Sequence, residues 1–376
     1  MTALPDTVGE RERDRTALNA ICPYYTMFPL SFPIAELQAA SATDAVLDPF
    51  CGRGTTLFAA RLAGIRAVGI DSNPVAVTIS RAKLSTASAA AIVALARRLI
   101  RTSAPDPMPD GPFWEQAYAP STMDGMLRLR AGLRGRSGPV AEALRAVVLG
   151  ALHGPLSKSK ASYFSNQMPR TFASKPAYSV RYWEARGMTP PVVDVMTVIE
   201  ERASRYFGTP APTSGGRVLL GDAREIRLPR RRFSHVVTSP PYFGMRSYVP
   251  DQWIRDWFLG GPAAPTYVQP GQLGYEENRN PTRFASELGR VWANVAPACR
   301  DGARLVIRFG AIRSRPSDPV AIVRASIEGA RTGWRIESIL PAGDAHRGKR
   351  QADQMGARGK GAGAVVEYDV ACILDR

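Results

Sequence analysis

Histidine and cysteine are scarce, with three His and four Cys in 376 residues. Cys22, Cys51, Cys299 and Cys372 lack the close pairing of a zinc motif, and His153, His235 and His346 do not complete one. No metal site is expected, and the cysteines read as reduced thiols. Long apolar runs are also missing, for none reaches the roughly 18 residues that a membrane span requires. The first fifteen residues are polar and charged where a secretory signal would be apolar. A cytoplasmic protein without membrane contact is expected. Acidic residues are in short supply, 33 Asp and Glu against 49 Lys and Arg, which leaves a net charge of +16. That surplus favours a polyanionic partner, nucleic acid first, although arginine-rich proteomes make basic proteins in general. With 45% hydrophobic residues the chain can bury a full core.

What is present centres on Val236-Val237-Thr238-Ser239-Pro240-Pro241-Tyr242-Phe243. Two prolines directly after a β-branched run end a buried strand abruptly and freeze the backbone beyond it. Ser239 then offers a hydroxyl and a carbonyl, Pro240 a carbonyl without a competing N–H, and Tyr242 an aromatic face for a flat ring. Such a pocket suits an exocyclic amine. Earlier, Ala45-Val46-Leu47-Asp48-Pro49-Phe50-Cys51-Gly52-Arg53-Gly54-Thr55-Thr56 reads as a buried strand, a glycine turn and a helix start. Gly52 and Gly54 let backbone N–H groups approach a ligand, and the following helix N-terminus favours an anion such as a carboxylate. The absence of Gly-Lys-Thr disfavours nucleoside triphosphate binding. The next strand, Arg66 to Ile70, ends on Asp71, one strand–helix–strand unit after Asp48. An acidic side chain there can accept both ribose hydroxyls of an adenosine, and it can also cap the helix that starts near Pro74.

These stretches together resemble the S-adenosylmethionine-dependent amino-methyltransferases of DNA. Ser239-Pro240-Pro241-Tyr242 is similar to the catalytic tetrad of the N4-cytosine branch, and Asp48-Pro49-Phe50-x-Gly52-x-Gly54-Thr55-Thr56 to the cofactor motif. Gly-Ile-Asp71-Ser72-Asn-Pro resembles the second cofactor motif. The resemblance implies a Rossmann-like class I methyltransferase sheet with helices on both faces. It implies S-adenosylmethionine as cofactor, and it places Asp222, after the strand Arg217 to Leu220, against the adenine amine with Ala223 beside it. It further implies that the Phe-Pro segment Cys22 to Pro33, an irregular loop carrying Tyr25 and Phe28, folds over the methionine end of the cofactor. The same two aromatics can also plug the core of a surface loop.

Between the two halves, from about Ser85 to Gly215, the strand rhythm gives way to helical spacing at Ala89–Arg101, Ser137–Leu152 and Pro191–Phe207. Three parts are expected: 1–85 with the cofactor-binding half, 86–215 as a helical insertion, and 216–376 with the catalytic half. From Arg128 to Arg186 eleven basic residues face only Glu142 and Glu184. The insertion therefore reads as a DNA- or target-recognition region through Lys158, Lys160, Arg170 and Lys175, or as the solvated basic face of a stabilising insert. Arg246, in an aromatic and basic stretch running to Phe258, is expected at the target-base pocket. Lys349 and Arg350 lie in a Gly-rich basic loop suited to phosphates. Phe284–Val295 and Val320–Ala330 are expected as helices, and Ala303–Phe309, Trp334–Leu340 and Val365–Leu374 as the closing strands.

The expected reaction is methyl transfer to the N4 amine of cytosine in double-stranded DNA, with the target base flipped out of the duplex. Transfer to adenine N6, or to RNA by the same fold, is the alternative, and a non-enzymatic DNA-binding protein is the rival of another class. The resemblance leaves a restriction or defence-system partner open. A C5-cytosine mechanism needs a cysteine directly after a proline, and no cysteine here has one.

Overall fold

The computed structural model describes residues 15–24, 28–155, 162–165, 167–168, 173–209, 212, 215–244, 249–267, 273, 280–312, 317–342 and 364–376. After a 3-10 turn at Ala17–Ala20 come helix α1 (Ser31–Glu36), strand β1 (Ala45–Asp48), α2 (Thr55–Leu62), β2 (Arg66–Asp71) and α3 (Pro74–Leu84). Six helices follow: α4 (Ala89–Thr102), α5 (Pro112–Ala117), α6 (Pro120–Leu133), α7 (Pro139–Ala151), α8 (Pro176–Glu184) and α9 (Val195–Phe207). The chain then gives β3 (Gly216–Leu220), β4 (Phe233–Thr238), α10 (Trp253–Phe258), α11 (Pro281–Val295) and β5 (Cys299–Ile312). It closes with α12 (Pro319–Gly329), β6 (Trp334–Pro341) and β7 (Ala364–Leu374).

The seven strands form one sheet in the order β3-β2-β1-β4-β5-β7-β6. The first five are parallel, and β7 pairs antiparallel with both β5 and β6. The expected Rossmann-like sheet is present, with helices on both faces. The chain winds outward from β1 through β2 to β3, then restarts at β4 on the other side of β1. Right-handed crossovers in the two directions put α2 on one face and α11 on the other. The reversal between β1 and β4 opens a crevice at the carboxyl ends of the central strands, where such sheets bind ligands. Asp48, Asp71 and Thr238 are the last residues of β1, β2 and β4.

Two compact units divide the chain. The sheet unit comprises 24–80, 212–247 and 268–376. Its core shows why α11 forms. Phe284, Leu288, Val291, Trp292 and Val295 recur at helical spacing and are all buried. Asn280 caps α11 by accepting from the amides of Thr282 and Arg283, and Pro281 takes a first-turn position where its missing N–H costs nothing.

The helical unit comprises 1–23, 81–211 and 248–267. Ile92, Leu95, Ala96 and Leu99 form the buried stripe of α4, and Ser88 caps its start. Of the stretch from Phe243 to Phe258 that was expected at the target-base pocket, residues 249–258 belong to this unit. Trp253 and Trp257 are buried against Trp114, with ring centroids 5.4 and 4.3 Å away. Trp253 donates to the Ser174 carbonyl, and Arg255 to that of Leu149. The driving force is apolar burial, since indole rings remove large areas from water. The segment before β1 also departs from expectation, because Ser31–Glu36 is helical with Phe32 and Pro33 buried. Proline fits a first helical turn without losing a hydrogen bond, so its presence there did not signal a break.

Candidate active site

The turn after β1 is built by glycine and clamped by α3. Gly52 and Gly54 have φ of +50° and +74°, the left-handed region that costs a side chain energy. A Cβ on Gly54 would lie 2.7 Å from Ser80 Oγ and 3.0 Å from Ser80 Cα, so the turn and α3 fit only without one. Ser80 Oγ donates to the Gly52 carbonyl at 2.8 Å, and the Cys51 amide to Ile70 O at 2.9 Å. Thr55 and Thr56 are buried where α2 begins, and no side chain caps that end. Its first amides are left for a ligand, and the helix dipole favours an anion there.

Two carboxyls face this turn. The Asp71 carboxyl accepts from the Gly52 amide at 2.9 Å and from the Asn73 amide at 2.8 Å. Burial pushes its pKa up to about 6 against those bonds. Asp48 is buried, and desolvation raises it to about 6, opposed by bonds from the Thr238 hydroxyl at 2.6 Å and the Phe50 amide at 3.1 Å. Both bonds fall on Oδ1, while Oδ2 is buried without a hydrogen-bond partner. A buried acceptor left open is costly, and it marks where a donor or cation would be accommodated. Pro49 is buried and Phe50 half-buried, edge-on to Trp292 at 6.2 Å. Ser72 is half-buried.

S-adenosylmethionine is the group that the motifs imply, and these observations fit it. The orphan Asp48 oxygen suits the ammonium, the uncapped α2 start suits the carboxylate, and Asp71 keeps lone pairs for ribose hydroxyls. Asp222 is more heavily engaged. Burial would raise its carboxyl, but Arg224, donating to both oxygens at 2.6 to 3.0 Å, outweighs that and holds it below the usual range. Ala223 is buried. Phe28 lies edge-on to Phe32 at 5.2 Å, and Tyr25 falls outside the described residues.

β4 delivers the tetrad and is locked to the cofactor motif. Thr238 bonds Asp48, and Thr56 Oγ1 donates to the Val237 carbonyl at 3.2 Å. Ser239 and Pro241 are half-buried and Pro240 is buried. Tyr242 is only 8% exposed, edge-on to Phe309, and its hydroxyl donates to Glu367 at 2.7 Å. Sequence reasoning missed Thr56, Thr238 and Glu367 as site residues. The first two lie within the quoted stretches and could have been assigned roles from them, whereas Glu367 lies 125 positions from Tyr242 with no local signal.

Of the residues assigned to DNA, Lys158, Lys160, Arg170, Arg246, Lys349 and Arg350 lie outside the described residues. Lys175 is exposed, its ammonium 5.4 Å from the Tyr267 ring centre. Several arginines counted in the basic excess have internal partners instead. Arg130 and Arg134 share Asp106, Arg128 binds Asp124, and Arg145 donates to the carbonyls of Leu133 and Arg136. Arg181 and Arg186 remain exposed, the latter stacked 3.8 Å over Tyr182. Among the described residues no cluster of three His, Cys, Asp or Glu could hold a metal, and all four cysteines are free and buried. No helix among them is long and apolar enough to cross a membrane.

Comparison with known proteins adds three findings. No curated protein sequence matches the chain. Among solved structures, an rRNA methyltransferase from Streptomyces viridochromogenes is 13% identical, covering 96% of this chain and 92% of its own, with a TM-score of 0.35. A SAM-dependent methyltransferase from Methanosarcina mazei is 9% identical over 93% of this chain and 98% of its own, with a TM-score of 0.34. Those overlaps are too shallow to speak to substrate. The family model described as DNA methylase matches residues 23–82, so the segment that carries the glycine turn, Asp48 and Asp71 is similar to DNA methylases.

Proposed function

We propose that the chain is a DNA methyltransferase that moves the methyl group of S-adenosylmethionine to the exocyclic N4 amine of cytosine. The observation that carries this is the lock between β1 and β4. The Thr238–Asp48 and Thr56–Val237 bonds tie the amine-binding strand end to the cofactor turn, so both substrates would meet at one sheet edge. The cofactor supplies an electrophilic methyl on a sulfonium. Asp48, Asp71, Asp222, Ala223 and the α2 start would hold it, with Pro49, Phe50, Ser72 and Phe28 closing around it.

The Ser239 hydroxyl and the Pro240 carbonyl would accept the amine hydrogens, drawing the nitrogen lone pair out of ring conjugation and toward the methyl carbon. S-adenosylmethionine held there would give up its methyl group to the nitrogen and leave as the thioether, and the amine would release one proton to solvent. The Tyr242 ring would flank the flipped base, which is otherwise stacked inside the duplex. A Ser239 hydroxyl that donates to N3 while a carbonyl accepts from N4 fits cytosine, and the likeness of the tetrad to the N4-cytosine branch tips the choice toward it. Adenine presents a similar N1–N6 pair, so the base is tested directly. Mass spectrometry of nucleosides from DNA incubated with the protein and S-adenosylmethionine should show N4-methylcytosine. N6-methyladenine alone would overturn the base assignment and leave methyl transfer standing.

A further inference from the structure

We propose that Glu367, remote from every motif, is a positioning residue that fixes the Tyr242 ring of the tetrad through its hydroxyl. The inference rests on the methyl-transfer reading above. Tyr242 Oη donates to Glu367 Oε1 at 2.7 Å, and the two side chains are 8% and 5% exposed. A carboxyl in such a place is expensive to desolvate, and an apolar residue would fill it more cheaply. Its presence asks for a use that packing does not supply.

The strands around it are shaped for that contact. Glu367 on β7 pairs with Gly310 on β5. A Cβ on Gly310 would sit 3.2 Å from Tyr242 Cε2, 3.1 Å from Glu367 Cγ and 2.7 Å from the Val366 carbonyl. Glycine thus leaves the space that the phenol ring takes up. A second contact of the ring, edge-on to Phe309 at 5.3 Å, is apolar and sets no direction for the hydroxyl. Two prolines limit the backbone before Tyr242, and the carboxyl limits the far end of its side chain. Asp369, two residues on and therefore on the same face of β7, holds Arg308 through two 2.7 Å bonds, and Arg308 stacks 3.8 Å over Phe32. One strand face thereby anchors both the tetrad and the segment ahead of the cofactor motif.

Glu367→Leu removes the acceptor at similar volume, and Glu367→Gln keeps an acceptor oxygen. Glu367→Leu should lower kcat on DNA by about tenfold or more while calorimetric affinity for S-adenosylmethionine stays within about twofold, and Glu367→Gln should recover most of the rate. Tyr242→Phe and Glu367→Leu should combine non-additively, because they cut the same bond. Hydrogen exchange reads the anchoring without any substrate. Glu367→Leu should speed exchange at Tyr242–Gly244 and leave Cys51–Gly54 unchanged. If Glu367→Leu does not fold, Tyr242→Phe gives the same exchange readout. Unchanged exchange at 242–244, a kcat within about twofold of the parent, or additive losses would each overturn the proposal. Faster exchange at 242–244 in a protein whose parent methylates no DNA would uphold the anchor and refute the methyl-transfer reading instead.

Discussion

Asp48 and Asp71 sit where the ligand-free protein resists their charge and a cationic, hydroxyl-rich cofactor would reward it. Both have pKa values raised to about 6. A carboxyl raised in the fold binds a proton that the unfolded chain has already lost, so stability falls as pH rises from about 4 to 6. Cofactor binding runs the other way, since the ammonium and the ribose hydroxyls call for ionised carboxylates. Affinity for S-adenosylmethionine should therefore rise from pH 5 to pH 7.5, and calorimetry across that range checks it. Asp71→Ala should weaken binding at pH 7.5 by more than about tenfold, the worth of charge-assisted hydrogen bonds. A pH-independent affinity, or an unchanged one in the variant, would remove these residues from the site.

The elements differ in how they hold the fold, and α11 is the clearest case. Trp292 is fully buried and its Nε1 donates to Ser326 Oγ at 2.9 Å, so it bridges α11 and α12. Trp292→Ala should destabilise the protein by about 3–5 kcal/mol in chemical denaturation. That helix was legible in sequence as Phe284–Val295, and so were β1, β2 and β4, whose short apolar runs stop at Asp or Pro. α4, α7 and α9 were legible from their periodic stripes. α1 was not, because prolines that begin a helix look like prolines that forbid one. α5, α6 and α8 also open with Pro112, Pro120 and Pro176. The placement of Trp253 and Trp257 was missed for another reason. Aromatic and basic residues suit a base pocket and a buried aromatic cluster equally, and only tertiary packing chooses. Of the site, the parts carried by local motifs were readable, and the Tyr242–Glu367 bond, made across the sheet, was not.

At the scale of the whole molecule, the surplus of 16 positive charges first suggested nucleic acid. Some of the arginines behind it serve their own unit: Arg130 and Arg134 bind Asp106, and Arg145 donates to the carbonyls of Leu133 and Arg136. Charge thus supports a nucleic-acid partner without singling out DNA. The glycine turn, the paired strand ends and the Ser-Pro-Pro-Tyr corner carry the argument for chemistry. Methyl transfer is tested most directly with labelled S-adenosylmethionine and duplex DNA, with RNA offered in parallel and Ser239→Ala as comparison. Label should enter DNA and little should enter RNA, and Ser239→Ala should lose most turnover with cofactor affinity retained. Label confined to RNA, or equal transfer by Ser239→Ala, would contradict a DNA methyltransferase with Ser239 at the reacting amine.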